Sequence, residues 1–263
     1  MSGLHRFSRT ELLIGTDALA RLQKCHVAVI GLGGVGSYAA EALCRSGIGR
    51  MTIIDYDDIC ITNINRQLHA TSATVGKPKV EVMAERLRLI NPAAEIIAQR
   101  QFYCADNSDQ LLVGHFDYVA DAIDHFTAKL HLLVTCRERQ IPVISSMGAA
   151  AKLDPTKIQV GDISVTHTCR MARSMRKLLK KQGVTTGIKV VYSTEEFHPP
   201  AQQVPGCHGQ CVCPNKDEVQ FSCQHRRVIL GSSAHLPGIF GLTMAGEVLR
   251  DVLRQPESQV PSN

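Results

Sequence analysis

Residues 26–43, HVAVIGLGGVGSYAAEAL, constrain what this chain can fold into more than any other stretch. An apolar run enters Gly31, Gly33, Gly34 and Gly36 and passes directly into a helical pattern that Gly47 ends. A strand that turns on glycine into a helix and then meets a second strand is a β-α-β unit, and such units pair their strands in parallel. The second strand is RMTIIDYDD, which finishes in acid at Asp55 and Asp57. KPKVEVMAERLRLINP then sets Val80, Met83, Ala84, Leu87 and Ile90 three and four apart on one helix face, with Pro92 beyond. AEIIAQ and DYVADAID read as strands, the latter closing on Asp121 and Asp124, and HFTAKLHLLVTCRERQ and IPVISSMG read as a helix and a strand. The alternation over residues 26–148 predicts an α/β chain: a mostly parallel sheet with helices on both faces.

In a Rossmann-like sheet of this kind ligands bind beyond the carboxyl ends of the strands, where the glycines, Asp55, Asp57 and Asp124 all fall. Gly31, Gly33 and Gly36 fit G-x-G-x-x-G, which lets backbone N–H groups approach a phosphate at a helix N-terminus. Asp55 is placed to accept ribose hydroxyls, an arrangement that serves NAD and ATP alike. The following TNINRQLHATSATVGKPKVE separates them, because it brings Asn63, Arg66 and Lys79 to the same edge. Hydride transfer has no use for these cations. A nucleotide attacked at its α-phosphate needs them, with Mg²⁺, against the charge that builds there. Asp124 is the candidate Mg²⁺ ligand. Lys79→Ala and Asp124→Ala are expected to remove activity with little loss of fold.

Beyond Gly148 the pattern changes. IQVGDIS and IKVVYSTEE read as strands flanking CRMARSMRKLLKKQG, a basic helix over residues 169–182. Arg170, Arg173, Lys177, Lys180 and Lys181 lie near one face of it, Met171, Met175, Leu178 and Leu179 lie largely on another, and Arg176 adds a further charge. About half the circumference carries no acid, which suits a phosphate backbone; a solvated face or an anionic membrane surface is the alternative. The net charge of +5 matters through this clustering. Residues 198–225 are rich in Pro, Gly and Cys, and Cys207, Cys211, Cys213 and Cys223 are spaced C-x₃-C-x-C-x₉-C. Four thiols this close suggest Zn²⁺ or an Fe–S cluster, with His208 and His225 as substitutes; a loop of free thiols weighs equally. Cys25, Cys44, Cys60, Cys104 and Cys136 are expected in the core. No signal-peptide run and no stretch of roughly eighteen apolar residues is present, which points to a cytoplasmic protein with reduced cysteines. The chain divides into a nucleotide-binding core with an N-terminal arm (1–150), a sheet extension with the basic helix and Cys-rich loop (151–255), and a tail (256–263).

RFSRTELLIG, GLGGVGS, DYDD, NINRQ, GKPKVE and DAID together resemble the adenylating enzymes related to ubiquitin-activating enzymes and to bacterial activators of ubiquitin-like sulfur carriers. The resemblance implies ATP on the glycine loop, Asp55 and Asp57, its phosphates on Asn63, Arg66 and Lys79, and Mg²⁺ on Asp124. It implies a homodimer in which Arg9, in RFSR, reaches the partner's ATP, and a reaction in which a carboxylate becomes an acyl-adenylate and pyrophosphate leaves. GIGRMTIIDYDDICITNINRQLHA, DPTKIQVGDIS, the basic helix and KVVYSTEE are similar to a tRNA-acting branch, the threonylcarbamoyladenosine dehydratases. That branch adenylates the threonyl carboxylate of the modified adenosine beside the anticodon, and the modification's own nitrogen closes the ring. Arg170, Arg173, Arg176, Lys177, Lys180 and Lys181 are then the tRNA-binding residues, and no catalytic Cys is required. Some relatives carry a Cys in the strand corresponding to KVVYSTEE. Val190 stands there in this chain, so a sulfur relay is not expected. Two other functions stay open: an adenylyltransferase for the C-terminal glycine of a ubiquitin-like sulfur carrier, whose paired cysteines are missing here, and a nucleotide-sensing binding module without catalysis.

Overall fold

Side chains on the central strands bury alternately to opposite sides, which a strand does when both faces of its sheet are covered. Val27 and Val29 join one apolar cluster, whereas Ala28 and Ile30 join a second. The computed structural model describes residues 3–199, 201 and 230–254. Its strands are β1 (His26–Ile30), β2 (Arg50–Ile54), β3 (Glu95–Gln99), β4 (Tyr118–Asp121), β5 (Val143–Ser146), β6 (Ile158–Asp162) and β7 (Lys189–Ser193). They form one sheet of order β3-β2-β1-β4-β5-β7-β6. Every neighbouring pair is parallel except β6 with β7. Ile30 pairs with Ile54 on one side and Asp121 on the other, so these strands end level. The strand order reverses between β1 and β4, and the crevice opens at such a switch point.

The helices are α1 (Ser8–Ile14), α2 (Thr16–Lys24), α3 (Gly36–Arg45), α4 (Lys79–Ile90), α5 (Ser108–Leu111), α6 (Phe126–Glu138), α7 (Arg170–Lys181) and α8 (His235–Arg254). Leu22 of α2, Leu43 of α3, Met83 and Leu87 of α4, and Phe240, Met244 and Val248 of α8 cover one face. Leu132, Leu133 and Cys136 of α6 and Ala172, Met175 and Leu179 of α7 cover the other. Fully burying each large side chain stabilises by about 1.5–3 kcal/mol. The last helix returns to the first half of the chain. A Cβ on Gly241 would stand 2.3 Å from the Val35 carbonyl oxygen, so α8 and α3 meet backbone to backbone. Among the described residues, no helix is long and apolar enough to cross a membrane.

Two expectations for the thiols fail. Cys60 and Cys104 are half-buried rather than core residues. Each precedes a short 3₁₀ turn, where its N–H donates to an Asn side chain three residues on: Asn63 Oδ1 at 3.0 Å and Asn107 Oδ1 at 2.9 Å. Their apolar neighbours pack, while the cysteines belong to turns. Cys25, Cys44 and Cys136 are buried as expected.

Candidate active site

The glycine loop runs from the end of β1 to the start of α3. Gly31 has φ +90°, and its N–H donates to the Ile54 carbonyl at 2.8 Å. A Cβ on it would stand 2.8 Å from the Ala122 carbonyl oxygen, and one on Gly36 only 1.7 Å from the Gly31 carbonyl oxygen. The turn therefore folds back on itself against the end of β4. Gly34 lies under Pro237 of α8, a Cβ there coming within 2.9 Å of the proline's. Of the four glycines in the loop, Gly33 alone has no neighbour within 4 Å of a Cβ among the described residues, which leaves room for a phosphate.

Asp55 is buried and acts first as the anchor of this loop. Its carboxylate accepts from Leu32 N–H at 2.6 Å and from Asp57 N–H at 2.9 Å. Burial pushes the Asp55 carboxyl above the usual carboxylate range, against the pull of Lys79 and these two donors. Lys79 opens α4 and is only 4% exposed. Its Nζ lies 2.7 Å from Asp57 Oδ2 and 3.8 Å from Asp55 Oδ1. This corrects the expectation that Lys79→Ala spares the fold, because the change would strip a buried carboxylate of its cation. Asn63 is buried, and its Oδ1 holds the Cys60 N–H. Arg66 Nη1 donates to the Thr62 carbonyl at 2.7 Å and to Asn65 Oδ1 at 3.0 Å, beside Gly34. Behind them Gln67 Oε1 and both ring nitrogens of His69 are buried without a hydrogen-bond partner among the described residues.

Asp124 is exposed in the turn after β4, two residues from the Ala122 carbonyl that meets the glycine loop. That turn is held by a group the sequence reading missed. Lys129 and Asp121 are both fully buried, with Lys129 Nζ 2.5 Å from Asp121 Oδ2. Nζ also donates to Ser145 Oγ at 3.1 Å and to the Ser146 carbonyl at 3.0 Å on β5. The second oxygen of Asp121 accepts the Ile123 N–H at 3.0 Å. The signal was available: Lys129 shares an apolar helix face with Leu132, Leu133 and Cys136, where a lysine needs a buried partner.

The sequence model of the ThiF family matches residues 7–263. The chain is 45% identical over 254 residues to the tRNA threonylcarbamoyladenosine dehydratase of Bacillus subtilis (strain 168), covering 97% of each. It is 43% identical over 261 residues to that of Escherichia coli (strain K12), covering 97% of this chain and 96% of the other. The chain belongs to the ThiF family, in its tRNA threonylcarbamoyladenosine dehydratase branch. A crystal structure of the E. coli dehydratase in complex with ATP matches at TM-score 0.80 and 36% identity, covering 94% of this chain and 93% of that one. The molybdopterin-synthase adenylyltransferase of Salmonella typhimurium (strain LT2) is 34% identical over 57% of this chain.

Other candidate residues of this ThiF-family chain lie apart from the glycine loop. Arg9 lines an apolar cavity of about 540 Å³ with Leu13, Ile14, Leu22, Leu249 and Leu253. Ser46, just past the far end of α3, borders the same cavity, so a helix length of ~15 Å separates Arg9 from its own glycine loop. On α7, Arg170, Arg173, Lys177, Lys180 and Lys181 are exposed while Ala172, Met175 and Leu179 are buried, as the periodicity predicts. Arg176 departs from the stripe: it turns inward and donates to the Thr166 carbonyl at 2.7 Å. Cys207, Cys211, Cys213 and Cys223, with His208 and His225, lie outside the described residues. Among the described residues no cluster of three or more metal-ligating side chains occurs.

Proposed function

We propose that this ThiF-family chain cyclises N6-threonylcarbamoyladenosine in the anticodon loop of tRNA, using ATP and passing through a carboxyl-adenylate. What carries the reading is the reach of the likeness. Similarity to the tRNA threonylcarbamoyladenosine dehydratases covers 97% of the chain, including the basic helix, whereas similarity to the molybdopterin-synthase adenylyltransferase covers 57%. The glycine loop receives the phosphates over Gly33, and Asp55 fixes that loop and faces the ribose. Lys79 and Arg66 stabilise the charge that grows on the α-phosphate and on departing pyrophosphate. Lys79 leaves part of its bond to Asp57 to do so. Asp124, an exposed hard oxygen ligand beside the loop, would hold a Mg²⁺, which would supply charge neutralisation at the phosphates.

The threonyl carboxylate attacks the α-phosphate, and the modification's own nitrogen then attacks the acyl carbon and releases AMP. The enzyme holds both ends of one molecule and needs no nucleophile of its own. Its buried thiols suit none: desolvation raises Cys25 and Cys44 to about 11 and Cys136 to about 12.

A second copy of the chain completes the site. Helix α1 buries none of its residues and exposes Leu12 (82%) and Leu13 (84%), a surface that a partner covers, carrying Arg9 to the other protomer's ATP. The α7 stripe meets the tRNA backbone. The four clustered cysteines are proposed as a structural Zn²⁺ or Fe–S site, which metal analysis of the purified protein tests. The deciding experiment incubates the protein with ATP and tRNA carrying the modification. The digested nucleoside should be one water lighter. A folded, ATP-binding protein that leaves it unchanged sinks the reading, and carrier-dependent pyrophosphate exchange indifferent to tRNA would favour the sulfur-carrier function.

A further inference from the structure

A polar cavity, distinct from the apolar one beside Arg9, opens on the same edge of the sheet as the glycine loop. It measures about 470 Å³ and is lined by Thr168, Arg170, Arg173, Glu196 and Phe197. The guanidinium carbon of Arg170 lies 3.9 Å from the centroid of the Phe197 ring, so the aromatic face supports the cation. The segment carrying Phe197 is tied down on both sides. The Glu195 carboxylate accepts from Leu153 N–H at 2.9 Å and Asp154 N–H at 2.8 Å, and His198 N–H donates to the Ala151 carbonyl at 3.1 Å. Because β7 runs parallel to β5, this segment leaves the sheet on the edge where β1 and β4 end. Three strand spacings separate β7 from β1, or about 14 Å.

We propose that this cavity takes an unpaired nucleotide of the RNA strand that bears the reacting adenosine, its base stacked on the open face of Arg170 and a phosphate on Arg173. The inference rests on the tRNA reading above. A solvated arginine samples many rotamers, whereas one held over an aromatic ring is confined, and planar guanidinium is a recurring platform for splayed RNA bases. Glu196, on the cavity wall, supplies an acceptor for a base amino group. The separation from the glycine loop corresponds to about four stacked nucleotides at ~3.4 Å each, within reach of a single RNA loop.

The test measures binding of a labelled anticodon stem-loop RNA, carrying threonylcarbamoyladenosine, to the full chain over a series of salt concentrations. Arg170→Lys keeps the charge and removes the plane, and Phe197→Leu keeps an apolar contact and removes the platform. Each should raise Kd about tenfold with the salt dependence unchanged, the mark of lost stacking. Arg173→Ala should instead reduce the slope of log K against log salt by about one. An unchanged KM for ATP checks that each variant is folded. Binding of Arg170→Lys and Phe197→Leu within twofold of the parent overturns the stacking site. So does a fall in salt slope for Arg170→Lys equal to that of Arg173→Ala. Failure of the unaltered protein to bind the RNA at all refutes the tRNA reading itself, a separate result.

Discussion

Replacing Lys129 by methionine tests whether the buried ion pair between β4 and α6 holds the turn that carries Asp124. The substitution fills much of the same volume but leaves the fully buried Asp121 carboxylate without its cation. Breaking such a pair costs about 3–5 kcal/mol. Here Ser145 Oγ at 2.5 Å and Ile123 N–H at 3.0 Å still donate to Asp121, which places the electrostatic loss near the lower bound. The Ser146 carbonyl also loses its donor, adding about 1 kcal/mol. The expected loss is therefore about 4 kcal/mol, or on the order of 10 °C in Tm. The chain has no Trp, so urea unfolding is followed by far-ultraviolet circular dichroism. The double variant Asp121→Asn/Lys129→Met removes both charges and keeps an acceptor for Ile123, and it should recover all but about 1–2 kcal/mol. A Lys129→Met protein within about 1 kcal/mol of the parent, or a double variant no more stable than the single, would refute the reasoning.

Further outcomes follow from the same geometry. Burial, with Lys79 and Arg86 nearby, lowers His69 to about 3, so the folded state keeps this ring neutral. The unfolded chain, with a His near 6.5, binds the extra proton, and stability falls as pH drops from about 6.5 towards 3; at pH 5 the loss is about 2 kcal/mol. His69→Gln should flatten that part of the stability curve, and an identical pH profile would contradict it. Gly36→Ala, whose Cβ would stand 1.7 Å from the Gly31 carbonyl oxygen, should abolish ATP binding and depress Tm; Gly33→Ala, facing open space, should leave Tm unchanged and weaken only ATP binding, as read by isothermal calorimetry. Lys79→Met should lose activity together with about 3 kcal/mol of stability in urea, because Asp55 stays buried beside Asp57. Arg173→Ala/Lys177→Ala should weaken tRNA binding at moderate salt without altering ATP affinity, and equal tRNA affinity would remove α7 from the interface.

Much of the fold was legible because parallel strands buried on both faces leave continuous apolar runs, and their helices leave spacings of three and four. The strand–glycine–helix start, the acids closing β2 and β4, and the buried face of α7 could each be read this way. α1 and α2 were read only as an arm, since Gly15 interrupts their pattern and α1 buries nothing that would leave a periodic mark. Residues whose role depends on a distant partner were harder. Arg176 belongs to the basic run in sequence, yet its guanidinium bonds the Thr166 carbonyl.

By itself, then, the sequence determined the parallel sheet, the edge where the glycine loop opens and the cations gathered there, because these depend on local periodicity and on residues close along the chain. Only the tertiary structure decided that Lys79 is buried between two carboxylates, that Asp121 pairs with Lys129 behind the Asp124 turn, and that α8 braces the glycine loop through Pro237. It also decided that the Phe197 ring lies under the Arg170 guanidinium, its centroid 3.9 Å from the guanidinium carbon. Each of these joins segments far apart in sequence, and whether a charge ends in solvent or in the interior is set by which elements pack around it.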